Sequence, residues 1–227
     1  IMSGKMTFTY WPLHGLGATS RMALHFAGVE FADEFAKADN WFGEGTKQIA
    51  EKNSLVNLPH LTTESGEVIV QSLAILRHIG RTQKLYGKSA IEAARVDQLI
   101  DFLSELRTEY YKAVYAPKEE FAAMKKSFAD VSLPYYFGGL EKFITANGTK
   151  NFAADAVTIA DFAVLDLIEN LETMYGDVAV ALADYPKVVA FYRAFKAQPE
   201  LKSYYASAAA SLGHNAPGSN VSAVASL

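Results

Sequence analysis

The chain contains no cysteine. That excludes a disulfide, a thiolate metal site, a CxxC redox pair and a cysteine nucleophile at once. Any thiol chemistry must therefore use a thiol carried by a substrate. A basic excess is also missing: the formal net charge is −4 over 227 residues. Such a balance gives no electrostatic footprint for nucleic acid or an anionic membrane, and neither is expected as a partner. There is no run of about 18 apolar residues, so no helical membrane span is expected. Ile1 to Lys5 lack an apolar stretch, so no signal peptide is expected, and a cytoplasmic location follows as an expectation. The histidines at 14, 25, 60, 78 and 214 have no spacing typical of a metal site, and no metal is expected.

What is present is core material. Half of the residues are hydrophobic and 20% are charged, enough for one large domain or two modest ones. The first third alternates strand and helix signals. Thr7 to Trp11 reads as a strand and His14 to Thr19 as a glycine turn. Ser20 to Ala27 reads as a helix closed by Gly28, and Val29 to Phe35 as a second strand. Asp39 to Asn53 is polar, with a short helix inside. Leu58 to Thr62 and Val68 to Val70, joined through Ser65-Gly66, form a hairpin signal, and Ser72 opens another helix. From about Glu92 only helical periodicity remains, over Ala93–Tyr115, Lys118–Thr145, Ile159–Tyr175 and Lys187–Tyr205. The expected organisation is a small α/β domain over residues 6–82, an all-helical domain over 90–212, and a flexible tail over 213–227.

Three local motifs carry chemistry or architecture. Pro59 precedes a strand and can adopt the cis form, so that Asn57-Leu58 offers backbone groups to an extended peptide. Gln71-Ser72 stands at the strand-to-helix junction, where Ser72 is expected as N-cap and the helix N-terminus suits a carboxylate. Together these fit a ligand with a peptide backbone and a free carboxylate. Tyr10 ends the first strand beside a glycine turn, in Tyr10-Trp11-Pro12-Leu13-His14-Gly15-Leu16, where its hydroxyl either enters a cleft or fills the edge of a core. Thr158-Ile159-Ala160-Asp161 reads as a capping box that opens a buried helix.

With Arg95-Val96-Asp97 added, these motifs resemble the cytosolic glutathione transferase family in order and separation, nearest its tyrosine-type mu and sigma classes. The resemblance implies an α/β thioredoxin-like N-terminal domain that binds glutathione, followed by an all-α C-terminal domain. It implies a homodimeric enzyme that conjugates glutathione, as co-substrate, to small hydrophobic electrophiles, as in detoxification. Tyr10 would hold the glutathione sulfur. Trp11, Leu16, Trp41, Asn57, Leu58, Pro59, Gln71 and Ser72 would contact the rest of the tripeptide. Lys47 or Lys52 would meet the glycyl carboxylate. An acid from the partner subunit usually meets the amino group: Asp101 on the sigma pattern, Glu105 on the mu pattern, with Asp97 on the same helix face. Leu13, Tyr110, Tyr111 and Tyr115, with Tyr204 as a further candidate, would wall the electrophile pocket.

Some positions depart from the family pattern. His14 stands where both classes commonly carry arginine. Leu55 replaces the aromatic lock of mu dimers. Ser20 invites comparison with serine-type members, but it directly precedes Arg21 rather than lying in the turn. Two alternatives share the expected site: a glutathione-dependent isomerase resembling prostaglandin D synthase, and a non-enzymatic, crystallin-like binding protein.

Overall fold

The computed structural model describes residues 4–222. Their contacts divide them into two compact units. The first holds residues 4–83 together with Pro199–Pro217, and the second holds Lys84–Gln198 with residues 218–222.

The first unit is built on a four-stranded sheet in the order β2-β1-β3-β4. In chain order its elements are β1 (Met6–Tyr10), α1 (Ala18–Phe26) and β2 (Phe31–Phe35). Then come α2 (Ala38–Asn40), a π-helical turn (Trp41–Gly45) and α3 (Thr46–Ala50). β3 (His60–Thr62), β4 (Val68–Val70) and α4 (Ser72–Thr82) close the set. β1 runs parallel to β2 and antiparallel to β3, and β3 and β4 form the expected hairpin. Alternation in β1 sends Phe8 and Tyr10 to one face and Thr9 to the other. Phe8, Leu61, Met22, Leu24 and Ile75 are fully buried, each stabilising the fold by about 1.5–3 kcal/mol. The polar stretch after β2 contains three short helical pieces where the sequence suggested one.

The second unit is helical: α5 (Ala90–Val114), α6 (Phe121–Ser127), α7 (Leu133–Asn147), α8 (Ile159–Tyr175), α9 (Val178–Ala181) and α10 (Pro186–Lys196). The periodic stretch Lys118–Thr145 is not one helix. It is broken by a π-helical turn at Phe128–Ser132, just ahead of Pro134, which sits in the first turn of α7 as proline tolerates. The stretch Lys187–Tyr205 likewise breaks before Pro199, which removes a helical N–H donor. Beyond the break, Leu201 and Tyr204, the latter on α11 (Lys202–Tyr205), are fully buried and pack with α1. Residues 199–217 thus join the sheet unit, whereas the sequence pattern assigned them partly to the helices and partly to a tail.

Of that expected tail, residues 213–222 are described and hydrogen-bonded: Gly213 and His214 accept from the turn after β1, and Asn220 donates to Val114 O at 2.8 Å. The remainder, 223–227, lies outside the described residues.

Candidate functional site

Strand register assembles the site. Thr9 pairs with His60, and His60 with Val70, so one row crosses β1, β3 and β4. The residue beyond this row on each strand is Tyr10, Pro59 or Gln71. Three residues far apart in sequence therefore meet at one end of the sheet.

Tyr10 is 6% exposed, and its hydroxyl oxygen accepts from Leu16 N–H at 3.2 Å. Two glycines make this closeness possible. A Cβ on Gly15, whose φ is +40°, would lie 2.8 Å from Tyr10 Oη, and one on Gly17 would lie 2.6 Å from Tyr10 Cδ1. Only a residue without a side chain lets the turn approach the ring this closely.

Arg21 is fully buried. Its Cζ lies 5.9 Å from the Tyr10 ring centroid and 5.3 Å from that of Phe8. It pairs with Asp33 at 3.0 Å and donates to Leu13 O at 2.9 Å. Burial raises the Asp33 pKa, and the Arg21 charge opposes that rise. No role is expected of Arg21 from the sequence pattern, although an arginine among the apolar residues of α1 is a visible signal. Ser20, the alternative activator, is buried inside the same helix.

The Leu58–Pro59 peptide bond is cis. Leu58 N–H donates to Asn57 Oδ1 at 2.8 Å, so a peptide ligand using that amide would displace the neighbouring side chain. At the next strand end Gln71 has φ +72° and ψ 114°, a conformation that costs a non-glycine residue about 1–3 kcal/mol. Gln71, not Ser72, occupies the cap position of α4, and no side chain caps that helix. The expectation of Ser72 as N-cap is corrected. The left-handed backbone at Gln71 turns the chain one residue earlier, which makes Ser72 the first helical residue. The amides of this uncapped first turn suit a carboxylate.

Trp41 is buried, stacks on His60 with ring centroids 6.0 Å apart, and meets Trp11 edge-on at 6.4 Å. His60 is 8% exposed, and its pKa falls to about 4, chiefly through burial and secondarily through the charge of Lys52. A cavity of about 330 Å³ opens on the Thr9 side of the sheet, lined by Thr9, Glu34, Lys37, Trp41, Gln48 and His60 among others. Lys47 is exposed and paired with Glu44 at 3.3 Å, whereas Lys52 acts on His60 beside the row.

In the helical unit, Asp97 accepts from the Tyr86 hydroxyl, while Asp101 and Glu105 are exposed on α5. Tyr110 is 1% exposed, with its hydroxyl 3.4 Å from Thr173 Oγ1. It is a core residue, because α5 turns it inward against α8. Tyr111 is half-buried and hydrogen-bonds Arg107, and Tyr115 is 41% exposed. In the first unit Leu13 is buried beside the turn after β1, and Tyr204 packs among His14, His25 and Tyr205. Among the described residues there is no group of three or more histidine, aspartate or glutamate side chains placed to hold a metal. No described helix is long and apolar enough to cross a membrane.

Residues 6–81 match the family model for the glutathione S-transferase N-terminal domain, and residues 104–208 match that for its C-terminal domain. The chain belongs to the glutathione S-transferase family. Glutathione S-transferase 1 of Ascaris suum is 34% identical over 176 residues, 74% of this chain and 81% of that protein. Human glutathione S-transferase P is 30% identical, over 88% of this chain and 91% of its own. Among solved structures, the pi-class glutathione S-transferase of Onchocerca volvulus superposes with a TM-score of 0.80 at 25% identity, covering 95% of this chain and all of that one. The names P and pi differ from the mu and sigma classes to which the motifs pointed. In this glutathione S-transferase the N-terminal match contains every residue expected at the sheet end, and the C-terminal match contains Tyr110, Tyr111 and Tyr115.

Proposed function

We propose that Tyr10 holds the sulfur of glutathione as a thiolate for attack on small hydrophobic electrophiles. The chain is a transferase with glutathione as co-substrate, and the proposal concerns which atoms do the work. A free thiol, with a pKa of ~8.5, is mostly protonated at neutral pH, and the thiolate is the nucleophile. Lowering that pKa by about two units requires about 2.7 kcal/mol of extra stabilisation of the anion. The observation that carries the reading is Tyr10 Oη, which accepts from Leu16 N–H in a turn closed around its ring. That bond orients the hydroxyl and strengthens it as a donor to sulfur. Asn57, Leu58 and Pro59 then take the cysteinyl backbone, and the first turn of α4 with Gln71 and Ser72 takes the γ-glutamyl carboxylate. Trp11, Leu16 and Trp41 flank the tripeptide, and Lys52 or Lys47 meets the glycyl carboxylate. On the helical unit, Tyr111 and Tyr115 are the side chains that meet the electrophile, whereas Tyr110 is buried against α8.

The enzyme works in the cytoplasm as a homodimer in which the partner's copy of the Asp101 region completes the site. Leu55, 66% exposed, and an apolar cleft lined by Leu99, Phe102, Leu140 and Phe143 support a second copy as partner.

Tyr10→Phe tests the reading. Conjugation of an activated aryl halide should fall about 10²-fold at pH 6.5, as when one preorganised donor is removed, while glutathione still binds. An unchanged rate would sink the assignment of Tyr10.

A further inference from the structure

The turn that presents Leu16 to Tyr10 is held from the other end of the chain. His14 N–H donates to Gly213 O at 3.0 Å, and Gly15 N–H donates to His214 O at 3.0 Å. Two adjacent amides of the turn are thus satisfied by two consecutive carbonyls. The side chains repeat the link: the His14 and His214 rings lie with centroids 4.1 Å apart, tilted by 32°. His14 Nε2 also sits 3.2 Å from Ala210 O, and the ring is 4% exposed. Tyr204 meets it edge-on at 6.5 Å. From the α1 side Arg21 donates to Leu13 O in the same turn, and His25 packs on Tyr204.

The consequence runs through one residue, Gly15. Gly15 has a left-handed φ, and its freedom makes that conformation cheap to adopt and equally cheap to leave. The next amide, Leu16 N–H, is the donor on Tyr10 Oη. Fixing the Gly15 amide on His214 O therefore anchors the peptide plane next to that of the Leu16 amide, so that only the two torsions of Gly15 separate the anchored plane from the donor on Tyr10. His14 stands where the family pattern has arginine, and it has a matching ring in His214.

We propose that Gly213-His214, locked by the His14–His214 ring contact, is a positioning element that keeps the Leu16 amide on the Tyr10 oxygen and so sets the acidity of the bound glutathione thiol. This rests on Tyr10 being the donor to sulfur. No proton or electron passes through the histidine pair. Its loss leaves the Tyr10 hydroxyl in place but less well oriented.

The test is the pH dependence of aryl halide conjugation by the full chain, together with the ultraviolet thiolate absorbance of bound glutathione. His214→Ala should raise the apparent thiol pKa by about 0.5–1 unit, which lowers kcat/KM below that pKa on the order of three- to tenfold and spares it at high pH. KM for glutathione should stay within about twofold, because the tripeptide contacts are untouched. His214→Phe, which keeps a ring against His14, should restore most of the wild-type profile. If His214→Ala does not fold, His14→Gln removes the ring contact, keeps every backbone bond, and carries the same expectation.

An unchanged thiol pKa in the folded variant overturns the proposal, as does a rate loss equal at all pH values. Tyr10→Phe run alongside separates the two readings. If it shifts the thiol pKa while His214→Ala does not, only the positioning element fails. If neither shifts it, the role of Tyr10 fails as well. In the Tyr10→Phe background His214→Ala should add nothing further, since both act through one hydrogen bond.

Discussion

Two helix starts in this protein handle buried polar groups in opposite ways. At the start of α8, Asp161 is fully buried, and its oxygens accept from Phe152 N–H at 3.0 Å, Thr158 N–H at 2.7 Å and the Thr158 hydroxyl at 3.0 Å. The protein itself supplies the partners there. At the start of α4, Gln71 is strained and no side chain caps the helix, and on the opposite face of the same sheet end His60 Nδ1 and Thr9 Oγ1 are buried without a hydrogen-bond partner among the described residues. The first arrangement is closed and serves the fold, whereas the second has capacity for a ligand. A buried polar group left unsatisfied costs about 1–3 kcal/mol, so the sheet end carries a cost that the capping box avoids.

The largest effect that would break this contrast lies at Asp161. Asp161→Ala removes the acceptor for two buried amides and should destabilise the protein by about 3 kcal/mol or more in urea melts. Asn57→Ala, at the sheet end, should cost under about 1 kcal/mol of stability, because its side-chain oxygen accepts from the amide of its own neighbour, Leu58. It should instead raise KM for glutathione. Equal stability losses at the two positions would erase the distinction.

Acidity sharpens the same contrast, because the two regions respond with opposite sign. Burial raises the Asp161 pKa from 3.8 to about 6, against the pull of its hydrogen bonds. Between those values the folded state keeps a proton that the unfolded state has lost. The Asp161 contribution to stability is thus present in acid and lost as pH rises towards 6. His60 is lowered from 6.5 to about 4, so the unfolded state takes up its proton first. Its contribution is present above pH 6.5 and lost as pH falls towards 4. Each swing amounts to about 3 kcal/mol at most. Hydrogen exchange resolved by region should find the pH slope around α8 flattened in Asp161→Asn, and the opposite slope around β3 flattened in His60→Leu. Slopes of one sign in both regions, or slopes unchanged in the variants, would contradict this assignment.

Much of this division was legible in the sequence. The strand and helix order, the hairpin, the Thr158–Asp161 box and the three strand-end residues are local signals with local physics, and each appears in the structure. What escaped was non-local. Nothing in the pattern Gly-His-Asn at 213–215 announces that its carbonyls meet the turn at His14, because the tail has little hydrophobic periodicity and its partners lie at the opposite end of the chain. Tyr110 and Tyr111 are adjacent aromatics with equal claims by composition. Only the packing of α5 against α8 decides that the first is core. Ser72 fell one residue from its expected place because the left-handed backbone at Gln71 was invisible to a reading based on capping preferences.

The smallest effect concerns the two lysines, and it probes how far the open region extends. The family resemblance left Lys47, or alternatively Lys52, as the partner for the glycyl carboxylate. In the structure Lys47 is exposed and already paired with Glu44, an exposed contact of at most about 1 kcal/mol. Lys52 is close enough to lower the His60 pKa, and His60 stacks on Trp41, the residue expected beside that same carboxylate. Lys52→Ala should therefore raise KM for glutathione about three- to fivefold with kcat unchanged, a loss of uniform binding near 1 kcal/mol. The His60 pKa should rise in the same variant, readable by NMR titration, because a repelling charge has gone. Lys47→Ala should leave both quantities within error. If Lys47→Ala carried the KM change instead, the carboxylate end of the site would lie along the exposed face of α3 rather than against Trp41 and His60.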